Sequence, residues 1–444
     1  MSVQSGPAVH SATLPPGPRL PVAAQTWLLR FHTQRYLRWC RARYGDTFTV
    51  RDAVGGPHVY LSDPEHIRSV FGGDPAVLRA GEANGVLGPV LGPRSVLLLD
   101  GAEHRERRRL MLPAFHGEQV RRQEALMREV VTGQIAGWPV GRPFRAHDRT
   151  RQIALEIILR VVLGAAGDRV ARLRAALPRI VDLTPADLMM ITFPRLAGLG
   201  RWRRYWEHKA LVDAMLDEKI ALRRADPRLA ECDDVLSSLV RTYLDGGQPT
   251  DDGDLRDQLI TLLLAGHETT ATALAWTLEL LARHRAEQDR LADSVASGSS
   301  AYAEAVVTEA LRLRPVIDFV GRRLASPVQV GPWDIRARAV LCPAISLVHE
   351  DPAQHPEPRR FRPERWLGGG QAGMVLPFGG GVRRCLGAPF AVAELRVAVE
   401  EIVRRYEVRP VGRRPERVRM RHITSVPARG ARIVLAPRRA PTPE

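Results

Sequence analysis

The run Phe378-Gly-Gly-Gly-Val-Arg-Arg-Cys385-Leu-Gly387 sets a single cysteine in a glycine-rich loop, with an arginine two residues ahead of it. Cysteine binds metal as the thiolate. The helical pattern from Ala388 to Arg405, with Pro389 in its first turn, would put Cys385 at a helix N-terminus, where the dipole lowers a thiol pKa. Gly379, Gly380, Gly381 and Gly387 carry no Cβ to collide with a broad flat ring. Arg383 offers a permanent cation to an acidic arm of that ring. A haem iron on the Cys385 thiolate, with a propionate at Arg383, meets all of these requirements. A phosphate loop would need Gly-x-Gly-x-x-Gly or a Gly-Lys-Ser/Thr ending, which is missing here. A zinc site would need Cys or His at short spacing, whereas Cys40, Cys232 and Cys342 are scattered. A turn around a buried structural cysteine is the remaining alternative.

Three further constellations could do chemistry. Between the acidic start at Asp251, Asp252 and Asp254 and Arg283, the pattern predicts a helix of about 30 residues, roughly 45 Å long. From Leu259 to Leu281 it is apolar nearly all round and belongs in a core, yet it contains Ala265-Gly266-His267-Glu268-Thr269-Thr270. An acid there is costly without a task or a partner, and the Thr269 hydroxyl either meets a ligand or bonds back to the Ala265 carbonyl. His267-Glu268 begins like a zinc-protease motif, but the closing position is Ala271. Glu309 and Arg312 stand one turn apart on a helix that ends before Pro315, a spacing usually found in solvated surface pairs. His104 and Arg108, at i and i+4, share one helix face; taken alone, His104 reads as a core histidine.

In chain order these motifs resemble the cytochrome P-450 monooxygenases. Phe378-x-x-Gly381-x-Arg383-x-Cys385-x-Gly387 matches the family's haem-binding signature at every specified position. Ala265 to Thr269 resembles its oxygen-activation motif, where a local distortion of the helix opens a groove over the iron. Glu309-x-x-Arg312 with Phe361-Arg-Pro-Glu-Arg365-Trp366 resembles its brace and meander, and Gly101-x-x-His104-x-x-x-Arg108 its propionate-binding helix. The resemblance implies one large, mainly α domain with a minor β region over residues 19–438, after an N-terminal extension with a proline-rich hinge (1–18) and before a short tail (439–444). It implies Cys385 as the axial ligand, and His104, Arg108, Arg322 and Arg383 at the propionates. Glu268 and Thr269 deliver protons, and Glu309, Arg312 and Arg365 form a buried charge network. Trp366 stands where Phe is usual, a change expected to matter little. By position Ala265, Ile317, Asp318 and Phe319 line the substrate pocket, with Ala80–Arg94, Thr184–Leu199 and Ile423–Val426. Their apolar character suits a small lipophilic substrate, with dioxygen as co-substrate. With no Cys-x-x-Cys-His for covalent attachment, haem b is implied. Rival readings are a haem-thiolate peroxygenase or isomerase, or a haem-binding sensor without turnover.

The chain has 444 residues and a net charge of +16, and Lys209 and Lys219 are its only lysines. The arginines are spread through amphipathic segments with no nucleic-acid-binding signature, so nucleic acid is not the expected partner. No apolar stretch reaches the ~20 residues of a membrane span, and four dispersed cysteines suit a reducing compartment. A cytoplasmic monomer without a transmembrane anchor is expected. Only 59 residues follow Cys385, too few for a reductase domain, so electrons are expected from a separate ferredoxin or flavodoxin with its reductase.

The positioning elements are legible too. A helix is predicted over Pro21–Tyr44 with Gly45 as C-cap, strands over Thr47–Arg51 and His58–Leu61, and a helix opening at Asp63-Pro64. Helices follow at Glu118–Trp138, Arg149–Leu163, Trp202–Arg224 and Asp233–Asp245. Strand-like pieces return at Val328–Val340 and Arg417–Leu435.

Overall fold

A computed structural model of the protein describes residues 14–53, 55–164, 168–181, 200–245, 252–368 and 373–438. The expected pocket segment Thr184–Leu199 lies outside them. The fold is organised on the helix Asp252–Arg283, whose 32 residues open on Asp252 and Asp254 and close on Arg283, as the dipole favours. The helix Ala146–Leu163 lies along it. A Cβ on Gly266 would fall 2.7 Å from Ile158 Cδ1, so the glycine marks a close approach between these two helices. The helix stays regular through Gly266–Thr270, without the distortion the resemblance implies. Ile158 fills the space at Gly266, and the Thr269 hydroxyl bonds to Ala265 O (2.6 Å), a contact regular α geometry provides.

Beneath the central helix, Ala388–Arg405 packs against Gly117–Ala136, Arg285–Ala296 and Ala301–Leu313. Arg285–Ala296 escapes a reading of periodicity because it begins one residue after the central helix stops, at His284 (φ −122°, ψ 78°). Three N-terminal strands and two from residues 322–343 build a five-stranded sheet in the order Thr47–Asp52, Gly56–Leu61, Val340–Pro343, Arg322–Leu324, Leu78–Arg79. Gly56–Leu61 pairs parallel with Val340–Pro343, and the other neighbours are antiparallel. Register Arg322↔Leu341 fixes Arg322 on this sheet. The expected strand regions resolve into the hairpins Val328–Val330/Trp333–Ile335 and Val418–Arg421/Thr424–Pro427, and the strand Arg432–Pro437.

One loop is stitched to the central helix by polar side chains. Gln258 donates to Arg94 O (2.6 Å) and accepts from Val96 N (2.9 Å), Thr261 donates to Ser95 Oγ (2.7 Å), and Asp257 accepts from Arg94 N (3.0 Å). Gly92 makes this possible: its φ is +85°, and a Cβ would fall 2.0 Å from Asp257 Oδ1. Gly92→Ala is therefore expected to cost about 2–5 kcal/mol in urea unfolding, from left-handed strain plus a clash with a buried carboxylate. Gly88→Ala, at φ −50° with its nearest neighbour 3.7 Å away, should be tolerated. Equal losses at both positions would disprove the stitch.

Candidate haem-thiolate site

The cysteine loop is closed by Cys385 N donating to Phe378 O (2.9 Å) and Gly379 N donating to Leu376 O (3.0 Å). Gly379 and Gly381 have φ of +67° and +65°. The glycines serve two purposes rather than one. A Cβ on Gly380 would meet the Phe71 ring at 2.5 Å, and one on Gly381 the Phe71 carbonyl at 2.0 Å, so these two admit the helix Pro64–Gly72. A Cβ on Gly387 would meet nothing within 4 Å, which leaves the open space there to a ligand. Cys385 lies just ahead of the helix Ala388–Arg405, but its thiol pKa is raised rather than lowered. Burial outweighs the Gly387 N–H, Arg108 and Arg384, each of which favours the thiolate. A metal cation at the sulfur reverses that balance.

Cys385 is solvent-accessible although burial governs its thiol, the mark of a side chain that faces an internal hollow. The central helix shows the same feature. Ala265 is exposed and Leu264, Gly266 and Thr269 are half-buried, while His267, Glu268 and Thr270 beside them are buried. Cations edge this space. Burial, then Arg383, Arg108 and Arg322, pull the His104 pKa down to about 4. Burial and Arg383 pull that of Arg322 to about 10. Among the described residues no carboxylate pairs with Arg322: it donates to Gly321 O (2.9 Å) and lies over the Phe71 ring (5.8 Å). Arg383 is anchored by Val96 O (3.2 Å), Leu99 O and Asp100. A hollow with a thiol and an Ala/Thr helix face on its walls, and at its edge Arg322, which no carboxylate pairs among the described residues, fits a haem with propionates.

The charge network lies behind the loop. Glu309, 0% exposed, accepts from Arg312 Nε (2.8 Å) and Nη2 (2.9 Å), Arg365 Nε (3.0 Å), Arg362 N (3.0 Å) and Trp366 Nε1 (3.0 Å). Trp366 is thus a working member, contrary to the expectation that Trp for Phe matters little, because its indole N–H reaches a carboxylate that Phe cannot serve. Arg312 also donates to His349 O (2.7 Å) and Pro358 O (2.8 Å). His349, which sequence reasoning missed, accepts from Leu376 N at Nε2 (2.8 Å), so its proton sits on Nδ1 and is donated to Arg312 O (3.0 Å). It ties the brace to the chain entering the cysteine loop.

Other expected residues are placed less simply. Glu268 is buried, 3.0 Å from Arg151 Nε in an ion pair that lacks hydrogen-bond alignment, 3.4 Å from Arg421 Nη1 and 3.6 Å from His147 Nε2. Burial, then Arg151 and Arg421, hold the His147 pKa at about 3, so the imidazole is neutral. Asp318 accepts from Gln34 (2.8 Å) and Ser425 (2.5 Å) and is 1% exposed, and Phe319 packs edge-on to Tyr60 (5.2 Å). Asp318 thus ties the N-terminal helix to the C-terminal hairpin, and Phe319 packs on the strand Gly56–Leu61, instead of facing the hollow. Ile317, immediately before them, is half-buried. Arg107 turns away from Arg108 to Asp254 (2.6 Å) and Tyr243.

An accessible thiol in a glycine-rich loop, opposite an accessible stripe on a buried helix, is the arrangement a haem-thiolate protein requires. The Cytochrome P450 family model matches residues 15–433. The chain is 45% identical over 431 residues to cytochrome P450 135B1 of Mycobacterium bovis, covering 95% of this chain and 91% of that protein. It is 40% identical over 430 residues to cytochrome P450 135A1 of Mycobacterium tuberculosis, covering 96% of each. The solved structure of retinoic acid bound cyanobacterial CYP120A1 superposes with a TM-score of 0.84 at 22% identity, over 96% of this chain and 100% of that one. CYP175A1 from a Thermus thermophilus strain superposes with 0.69 at 23%, over 90% and 94%. These last two likenesses concern the fold. The chain belongs to the cytochrome P450 family, and is a haem- and dioxygen-using monooxygenase that draws electrons from a redox partner. Among the described residues no helix is long and apolar enough to cross a membrane.

Trp366→Phe should cost about 1.5–3 kcal/mol, the worth of a hydrogen bond to a charged group, read by denaturant unfolding; a loss near zero would make the indole contact incidental. His349 gives a pH signature. Burial, then His355 and Arg312, hold its pKa at about 3, below the ordinary 6.5. The unfolded chain therefore binds a proton that the folded one refuses, and the stability present above pH 6.5 is lost as pH falls toward 3. Replacing His349 with Gln, which keeps an acceptor for Leu376 N–H, should flatten the apoprotein's stability slope in this window by about 1.4 kcal/mol per pH unit. An unchanged slope would mean that the imidazole takes up its proton in the folded state.

Proposed function

We propose that the protein inserts one atom of dioxygen into a small lipophilic substrate, by hydroxylation or epoxidation, using haem b. The observation that carries this reading is the accessible stripe Ala265–Thr269 on an otherwise buried helix, together with an accessible Cys385 thiol. Bound haem supplies the redox chemistry, binding dioxygen and transferring one oxygen atom while the other leaves as water. Cys385 would hold the haem iron through its thiolate, a ligand that donates electron density to the metal. Phe378, Gly381 and Gly387 shape the loop around the ring. Arg108, Arg322 and Arg383 would balance the propionate charges and the neutral His104 would donate an N–H to one of them, which would offset the burial and the neighbouring guanidiniums that lower the His104 and Arg322 pKa values.

Thr269 sends its proton to Ala265 O, so its oxygen lone pairs turn toward the hollow and can order a water or a dioxygen proton donor there. Glu268 is held by Arg151 and Arg421. Two guanidiniums favour the carboxylate, so carrying a proton requires Glu268 to swing off at least one of them. Ala265 and Ile317 line the substrate side. For Asp318 the contacts with Gln34 and Ser425 support a structural role.

We place the protein in the cytoplasm as a monomer, reduced by a ferredoxin or flavodoxin. Arg105 and Arg109, four apart and exposed on one helix, and the exposed Arg384 form the basic side near the thiolate; Arg107 is engaged elsewhere. Reduction by an acidic donor should slow as salt rises, and charge reversal at Arg105 and Arg109 should slow it while leaving substrate binding unchanged. Salt-insensitive reduction would place the donor on another face.

The reduced protein with carbon monoxide should show the red-shifted Soret band of thiolate ligation, and Cys385→His should abolish it. Persistence of that band in the variant would remove the basis of the reading. Thr269→Ala should keep haem and spectra but lower product formed per reductant consumed, with hydrogen peroxide making up the difference. An unchanged ratio would leave Thr269 only its bond to Ala265.

A further inference from the structure

The first helix carries a surface that the oxygen chemistry does not use. Residues 1–45 contain six arginines and not one Asp or Glu, in a chain with 49 acids. The helix Val22–Tyr44 kinks at His32 (φ −137°, ψ 29°), and its first segment presents Trp27 and Phe31, each 53% exposed, with ring centroids 5.7 Å apart. Leu20 and Val22 are exposed beside its start, and Trp39 (49%) further along. Among the described residues every exposed Trp and Phe lies on this helix. A soluble surface rarely leaves such side chains open without a partner.

The charges around them are sorted. Arg38 and Arg41 turn inward to Glu350 (3.0 Å) and to Asp351 (2.8 Å) and Asp46 (2.7 Å). Arg19, Arg30, Arg35 and Arg43 have no carboxylate within 4.0 Å among the described residues. Asp52, which reaches the first segment, accepts from the Thr26 hydroxyl (3.3 Å). Indole and phenyl rings at the level of lipid headgroups, flanked by guanidiniums that reach phosphates, are the chemistry of an interfacial helix. An acidic protein would satisfy the arginines but would gain little from two adjacent, fully presented aromatic rings without a pocket of its own to hold them.

We propose that this face, centred on Trp27 and Phe31 and flanked by Arg19, Arg30 and Arg35, docks the protein on an anionic lipid surface without crossing it. Docking would hold the protein at the phase where lipophilic molecules concentrate.

The test is sedimentation of the haem-loaded protein with vesicles of phosphatidylcholine alone or mixed with phosphatidylglycerol. Binding is expected to the phosphatidylglycerol vesicles and to fall steeply with salt. The pair Trp27→Ser and Phe31→Ser should weaken it about tenfold or more. The pair Arg30→Gln and Arg35→Gln should weaken it about thirtyfold, from ~1 kcal/mol per arginine near a charged surface. The carbon monoxide spectrum of each variant, unchanged, shows that the fold is intact. Three outcomes overturn the proposal: no binding to either vesicle; no binding while the aromatic pair slows reduction by a donor protein, which makes the face a protein interface; or a wild-type dimer that the aromatic pair converts to monomer, which makes a second copy the occupant.

Discussion

The cysteine loop has almost no regular structure of its own, and its position rests on one buried carboxylate. Glu309 receives five hydrogen bonds from four residues, three of which belong to the meander 362–366. Its partner Arg312 spends its remaining N–H groups on the carbonyls of His349, Pro358 and Arg360. A charge pair removed from water repays its desolvation only when every lone pair and proton is used, and here they are used to gather chain segments that share no sheet. From Arg312 the path continues through His349 to Leu376 N, and Leu376 O then takes Gly379 N at the start of the loop that Cys385 N closes on Phe378 O. His349 suits this place because a neutral imidazole presents one donor and one acceptor on opposite edges.

The central helix solves the complementary problem on the other side of the hollow by rotation alone. Successive residues turn by about 100°, so Ala265, Gly266 and Glu268 enter three environments. Ala265 opens on the hollow, Gly266 closes against Ile158, and Glu268 runs to the arginines of Ala146–Leu163 and Val418–Arg421. One turn of helix therefore holds a small wall residue, a packing contact and a charged group without any break in its hydrogen bonds.

What the sequence made legible was local. The cysteine loop, the Glu309–Arg312 spacing, the His104–Arg108 face and the long apolar helix are short-range patterns, and the main helices fall within a few residues of their expected bounds. The unread parts are long-range pairings. Trp366 and Glu309 stand 57 residues apart, and His349 and Leu376 27 apart, and no periodicity reports on such pairs. The purpose of Gly380 and Gly381 was hidden for the same reason, since Phe71 lies some three hundred positions earlier in the chain. Asp318 illustrates the limit of placing a pocket by position: neighbouring side chains on a strand-like run face opposite ways, and its carboxylate went to Gln34 and Ser425.

An excess of +16 carried by arginine raises the question of which guanidiniums lack an anion in the folded chain. Most of those near the core are matched by carboxylates or carbonyls, such as Arg312 at Glu309, Arg223 at Asp234 and Arg283 at Glu279. The unmatched ones are informative because a buried or clustered cation without a counter-charge is costly unless something outside the chain supplies it. Arg322, buried and paired with no carboxylate among the described residues, marks an anion expected inside the fold, and the acid-free N-terminal helix marks one expected outside it. The same accounting also separates Arg107 from Arg108: adjacent in sequence, one is matched by Asp254, and the other stays beside Cys385 with no carboxylate paired to it among the described residues.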